Sequence, residues 1–81
     1  MGIENELKKI LEDILNEEVD ITNREADLEK DYEMDSMDAV EITDRIERAF
    51  DIEIETKSIY TLKKIGDLLD AITNRQTTKE G

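Results

Sequence analysis

Apolar residues at Ile3, Leu7, Ile10, Leu11, Ile14 and Leu15 return every three or four positions. That is the period of an amphipathic helix and predicts one over residues 3–16. A second run, Ala39, Ile42, Ile46, Ala49 and Phe50, starts just after Asp35-Ser36, where either polar side chain could cap the first turn. It predicts a helix over residues 36–50. A third run, Ile65, Leu68, Leu69 and Ile72, gives a closing helix, and the segment before it has room for one short helical turn around Ile59.

The stretch DIEIE alternates as a strand does, but no other segment alternates with it, and a lone strand has nothing to pair with. It is expected to be an extended loop pinned by Ile52 and Ile54. The link over residues 17–35 is long for so small a domain, which points to function or to local helical turns. Ile21, Leu28, Tyr32 and Met34 are expected to tether it to the core. The expected fold is therefore all-α: a small bundle of three main helices plus one short helix, with a long loop between the first two. One domain spans residues 1–75. The TNRQTTKEG end has no apolar anchor, and residues 76–81 are expected to form a flexible tail.

At 81 residues the chain is near the lower limit for burying its own core without disulfides or metals. It contains no Cys and no His, which removes disulfides, thiolate and imidazole metal sites, a cysteine nucleophile and any Ser/His relay. No metal site is expected, and no EF-hand spacing occurs. With 23 Asp and Glu against 11 Lys and Arg, the net charge is −12. So acidic a surface disfavours nucleic acid and favours basic protein partners. No segment is apolar or long enough for a signal peptide or a membrane span, and Glu6 stands where a myristoylation signal needs Ser or Thr. A cytoplasmic monomer is expected.

The facing of the second helix narrows the choice. With about 100° per residue, its apolar stripe must face the core. Met37, Val40, Glu41, Asp44, Glu47 and Arg48 then face solvent, and Ser36 lies at the helix entrance. Two outward hydrophobes rimmed by carboxylates suit a docking site. Scattered exposed hydrophobes are also common, and the acids have local uses. Glu41 with Arg45 and Asp44 with Arg48 are favourable i,i+4 pairs, and Asp38 suits the helix dipole.

The order DSMDAVEI, Asp35 to Ile42, followed by RIERAFDIEI and IGDLLDAI, resembles the acyl carrier proteins of fatty-acid or polyketide synthesis over nearly the whole chain. The resemblance implies that Ser36 accepts phosphopantetheine from coenzyme A through a separate holo-carrier synthase, a phosphopantetheinyl transferase. The prosthetic thiol would then hold acyl groups as thioesters, so the chain is a carrier and not an enzyme. The partner face would comprise Asp35, Met37, Asp38, Val40, Glu41, Asp44 and Glu47, meeting basic patches on the synthase and on acyl-handling enzymes. An acyl chain could retreat among Ile46, Ile54, Ile59 and Leu62. Met37 replaces the family's usual leucine, Glu33 its glycine, Asp44 a hydrophobe, Glu55 a frequent proline and Lys64 a capping threonine. Two alternatives stand beside this reading. One is an acidic helical adaptor with no prosthetic group; the other is a specialised carrier for polyketide, amino-acid or lipid-modifying pathways.

Overall fold

The computed structural model describes residues 2–55 and 61–79, with side chains as far as residue 74. The described residues form four helices in order: α1 (Ile3–Leu15), α2 (Leu28–Asp31), α3 (Ser36–Phe50) and α4 (Ile65–Lys79). The three long helices pack on one another around a single core. Leu7, Ile10 and Leu11 come from α1, Ile42 and Ile46 from α3, and Ile65, Leu68, Leu69 and Ile72 from α4. The all-α bundle with its long first loop is the expected one. The turn expected at Ile59 lies outside the described residues, and the short helix that is seen lies in the long loop. Asp27 starts it by accepting the N–H groups of Glu29 and Lys30.

That loop is part of the core. Ile21, Leu28 and Met34 are buried and Tyr32 is half-buried, as expected, and Val19 and Ala26 join them. Its start is held by Glu12, whose carboxylate accepts the Val19 N–H at 2.9 Å and the Lys8 Nζ at 2.7 Å. Its far end braces α4 through an isolated antiparallel bridge between Asp27 and Lys64. Two N–H groups at the start of α4 have no partner within the helix, and the loop supplies both acceptors. Ile65 N–H donates to Ala26 C=O at 3.1 Å and Gly66 N–H to Arg24 C=O at 3.0 Å. Lys64 cannot cap by its side chain, and the loop backbone does the capping instead. Gly66 suits this close approach, because a Cβ there would lie 3.1 Å from both the Cβ and the carbonyl oxygen of Arg24, near enough that the loop would have to give.

Ile52 and Ile54 are buried in an extended segment after α3, as DIEIE suggested. In the stripe of α3, however, Ala49 is exposed and Thr43 is buried. Ala49 points within about 20° of the buried Ile42 two turns earlier, but there it sits on the rim of a groove with Ile10 and Arg45. Thr43 is tolerated inside because its hydroxyl donates to Ala39 C=O at 2.8 Å. Helix α4 runs to Lys79, through much of the segment expected to be a loose tail; Ile72 is the last buried residue among the described side chains.

Candidate functional site

The entrance of α3 is built by two aspartates. Asp35 adopts an extended conformation as N-cap, and its side chain accepts the Asp38 N–H at 2.8 Å. Asp38 returns the bond by accepting the Asp35 N–H at 3.3 Å. This reciprocal box resolves which residue caps the helix: Asp35 does, and Ser36 is the first helical residue. Ser36 is exposed, and among the described residues no hydrogen bond engages its hydroxyl. The hydroxyl therefore stands free at the positive end of a helix of 15 residues.

Just before the box the chain turns sharply. Leu28 C=O accepts from both Tyr32 N–H at 3.1 Å and Met34 N–H at 3.0 Å. Glu33, between those donors, takes a left-handed conformation with φ 55°. That region costs a residue with a Cβ about 1–2 kcal/mol. The glycine usual in the carrier family would suit it, so Glu33 keeps the turn at some cost.

Along α3 the outward face is the expected one. Met37 is 79% exposed and Val40 45%, the two large exposed hydrophobes among the described residues. Glu41 and Asp44 are exposed beside them, and Asp44 pairs with Arg48 at 3.3 Å. Arg45 does not bond to Glu41. It reaches across to Asp13 of α1 at 2.7 Å, and this bond is the main cause that raises its pKa above the ordinary value. Among the described residues, Glu41 is thereby left without a direct partner. Glu47 lies on the shoulder of the face, and its carboxylate accepts the Ile54 N–H at 2.7 Å. Nothing local in the sequence joins these residues, and this second role of Glu47 was not foreseen.

Of the residues expected to receive an acyl chain, Ile46 and Ile54 are buried and Leu62 is half-buried. Ile59 lies outside the described residues. No cluster among the described residues could hold a metal ion, and no described helix is long and apolar enough to cross a membrane.

Residues 5–72 match the phosphopantetheine attachment site family. The chain is 36% identical over 74 residues to the acyl carrier protein of Buchnera aphidicola, covering 91% of this chain and 94% of that one. It is 33% identical over 76 residues to that of Campylobacter lari, covering 94% and 99%. The acyl carrier protein of Coprothermobacter proteolyticus is 32% identical over 74 residues, covering 91% and 90%. The chain belongs to the acyl carrier protein family. Phosphopantetheine is the covalent group of this family, and the free helix-entrance hydroxyl has the chemistry to bear it. The carrier's departures from its family are also accounted for in part. The loop backbone caps α4 where Lys64 cannot, and Glu33 occupies a left-handed turn position that glycine would adopt without strain. The exposed Glu55 has no such structural account.

Proposed function

We propose that Ser36 is the attachment residue, and that the chain carries acyl intermediates as thioesters to basic-faced enzymes of fatty-acid or related synthesis. The observation that carries this reading is the capping box. Because Asp35 and Asp38 satisfy the helix entrance, the Ser36 hydroxyl is exposed and uncommitted within the region that matches the family. Its oxygen accepts the phosphopantetheinyl group, the nucleotide portion of coenzyme A leaves, and the hydroxyl proton passes to a base on the synthase. The synthase also brings the metal. The chain's own task is to hold the oxygen in reach at a helix N-terminus, whose dipole favours the phosphodiester charge.

The bound thiol supplies the thioester chemistry that this cysteine-free chain lacks. Met37 and Val40 anchor the partner, and Asp35, Asp38, Glu41, Asp44 and Glu47 provide the field that steers it. On the same reading an acyl chain withdraws among Ile46, Ile54 and Leu62, which are buried or half-buried; Ile59, outside the described residues, joins that set by the family resemblance alone. The test is incubation with coenzyme A, magnesium and a phosphopantetheinyl transferase, followed by intact mass. The expected result is the gain of one phosphopantetheine, lost in Ser36→Ala. A Ser36→Ala chain that is still modified overturns the assignment. A wild-type chain refused by several transferases favours the unmodified adaptor.

A further inference from the structure

Between Val19 and Ala39 the chain carries eight acids, and seven of them are occupied within the fold. Asp20 binds Thr22, Glu25 pairs with Lys64, and Asp27 caps α2. Glu29 pairs with Lys63, Asp31 accepts the Asp27 N–H, and Asp35 and Asp38 close the box at α3. Glu33 is the exception: its side chain is exposed and has no partner among the described residues. It is also the one whose backbone is held in the left-handed region, at φ 55°.

Among the described residues the other two non-glycine residues with positive φ, Asn16 and Asp51, are short polar residues that end α1 and α3. Such residues tolerate that conformation; glutamate gains nothing from it. The mount is rigid. Leu28 C=O holds the N–H groups on both sides of Glu33, and Leu28 and Met34 are buried beneath. A strained backbone that carries an exposed, unpartnered charge serves something other than the fold.

We infer that Glu33 is a specificity-determining residue for modification of Ser36, presenting a carboxylate from a held backbone turn to a cation on the holo-carrier synthase. The inference rests on Ser36 being the attachment residue. Asp35 and Asp38, which flank the serine directly, spend carboxylate oxygens on each other's N–H groups. The uncommitted acids to either side of it are Glu33 before and Glu41 after. A synthase whose basic patch extends over the α2–α3 turn finds a charge there that a glycine would not provide. Because the carboxylate is exposed, its contribution is to encounter and is screened by salt.

The test measures Ser36 modification by a basic-faced phosphopantetheinyl transferase, with coenzyme A and magnesium, across a salt series. Glu33→Gln should lower kcat/KM roughly threefold to tenfold at low ionic strength, through KM, with a deficit that shrinks as salt rises. Its melting temperature should stay that of the wild type. Glu33→Gly should show the same kinetic loss together with a raised melting temperature. Glu4→Gln, an equal change of charge in the first turn of α1, should be modified as the wild type is. Wild-type rates for Glu33→Gln at low salt overturn the role of Glu33 and leave Ser36 in place, provided that Ser36→Ala stays unmodified. A loss equalled by Glu4→Gln also overturns it, since net charge alone would then be responsible. A wild-type chain that takes no phosphopantetheine overturns both readings.

Discussion

The carboxylate of Glu47 accepts the N–H of Ile54 at 2.7 Å, tying the shoulder of the proposed docking face to the loop that closes the core. Ile52 N–H adds a bond to the backbone carbonyl of the same residue at 3.1 Å. Glu47→Ala should cost about 1.5–3 kcal/mol, the range of a hydrogen bond to a charged acceptor. Glu47→Gln, which keeps an acceptor, should cost less. Urea unfolding measures both, and amide exchange at Ile54 should quicken in the alanine variant before global unfolding contributes. Unchanged exchange there would mean that Ile52 and Ile54 hold the loop by burial alone.

Met37→Ala should leave stability within about 0.5 kcal/mol of wild type, because an exposed side chain is lost. Ile46, with no exposed surface, should cost about 2–5 kcal/mol on the same truncation. In modification assays Met37→Ala should be slow at every salt concentration, whereas Glu41→Lys should recover as salt rises. Thermal melts and modification rates on the three variants check this. Equal losses of stability for Met37→Ala and Ile46→Ala would move the docking face elsewhere.

Gly66→Ala should destabilise by about 1 kcal/mol net, since overpacking of about 1–3 kcal/mol exceeds the helix propensity gained. The added methyl meets the Arg24 carbonyl, which cannot retreat without releasing the Gly66 N–H it accepts. Chemical denaturation is sufficient to measure it. An alanine variant more stable than wild type would show that the loop yields at Arg24.

Glu12 gives a pH dependence with a definite sign. The bond from Lys8, followed by that from Val19 N–H, holds its pKa below the ordinary 4.5. A carboxylate depressed in the folded state contributes stability that is present above its unfolded pKa and lost as pH falls through the folded one. The stability gap between wild type and Glu12→Gln should therefore be full above about pH 5 and narrow progressively below 4.5. The self-repulsion of so acidic a chain acts on both proteins and largely cancels in the comparison. Urea midpoints from about pH 7 to pH 3 measure the gap; one that stayed constant would assign the effect of Glu12 to shape instead of charge.

Features written in local periodicity were readable from the sequence. The start of α3 was marked by Asp35-Ser36 and its outward face by the positions of Met37 and Val40. Partners distant along the chain were not. Arg45 had Glu41 one turn before it, yet Asp13 offers a shorter path across the helix pair. Ala49 looked like core because a step of 100° gives the direction of a stripe but not its width. The short helix α2 did have a signal, Asp27 before Leu28, that a search for apolar repeats passes over in a helix of four residues. Glu33 was visible as a departure from the family's glycine, but its left-handed turn and its lack of a partner are properties of the folded chain.

The support that the loop gives to α4 bears on the order in which the molecule assembles. The acceptors for the first two N–H groups of α4 lie about forty residues earlier in the chain, so they exist only after a long closure. An isolated helix of 15 residues is marginal in water. Helix α4 therefore depends for the acceptors of its first turn on a loop seated elsewhere in the chain, and for the rest on the burial of Ile65, Leu68, Leu69 and Ile72. Unseating the loop near Arg24 would cost α4 its first two acceptors, while the Asp35–Asp38 box that sets Ser36 at the entrance of α3 uses none of the same bonds.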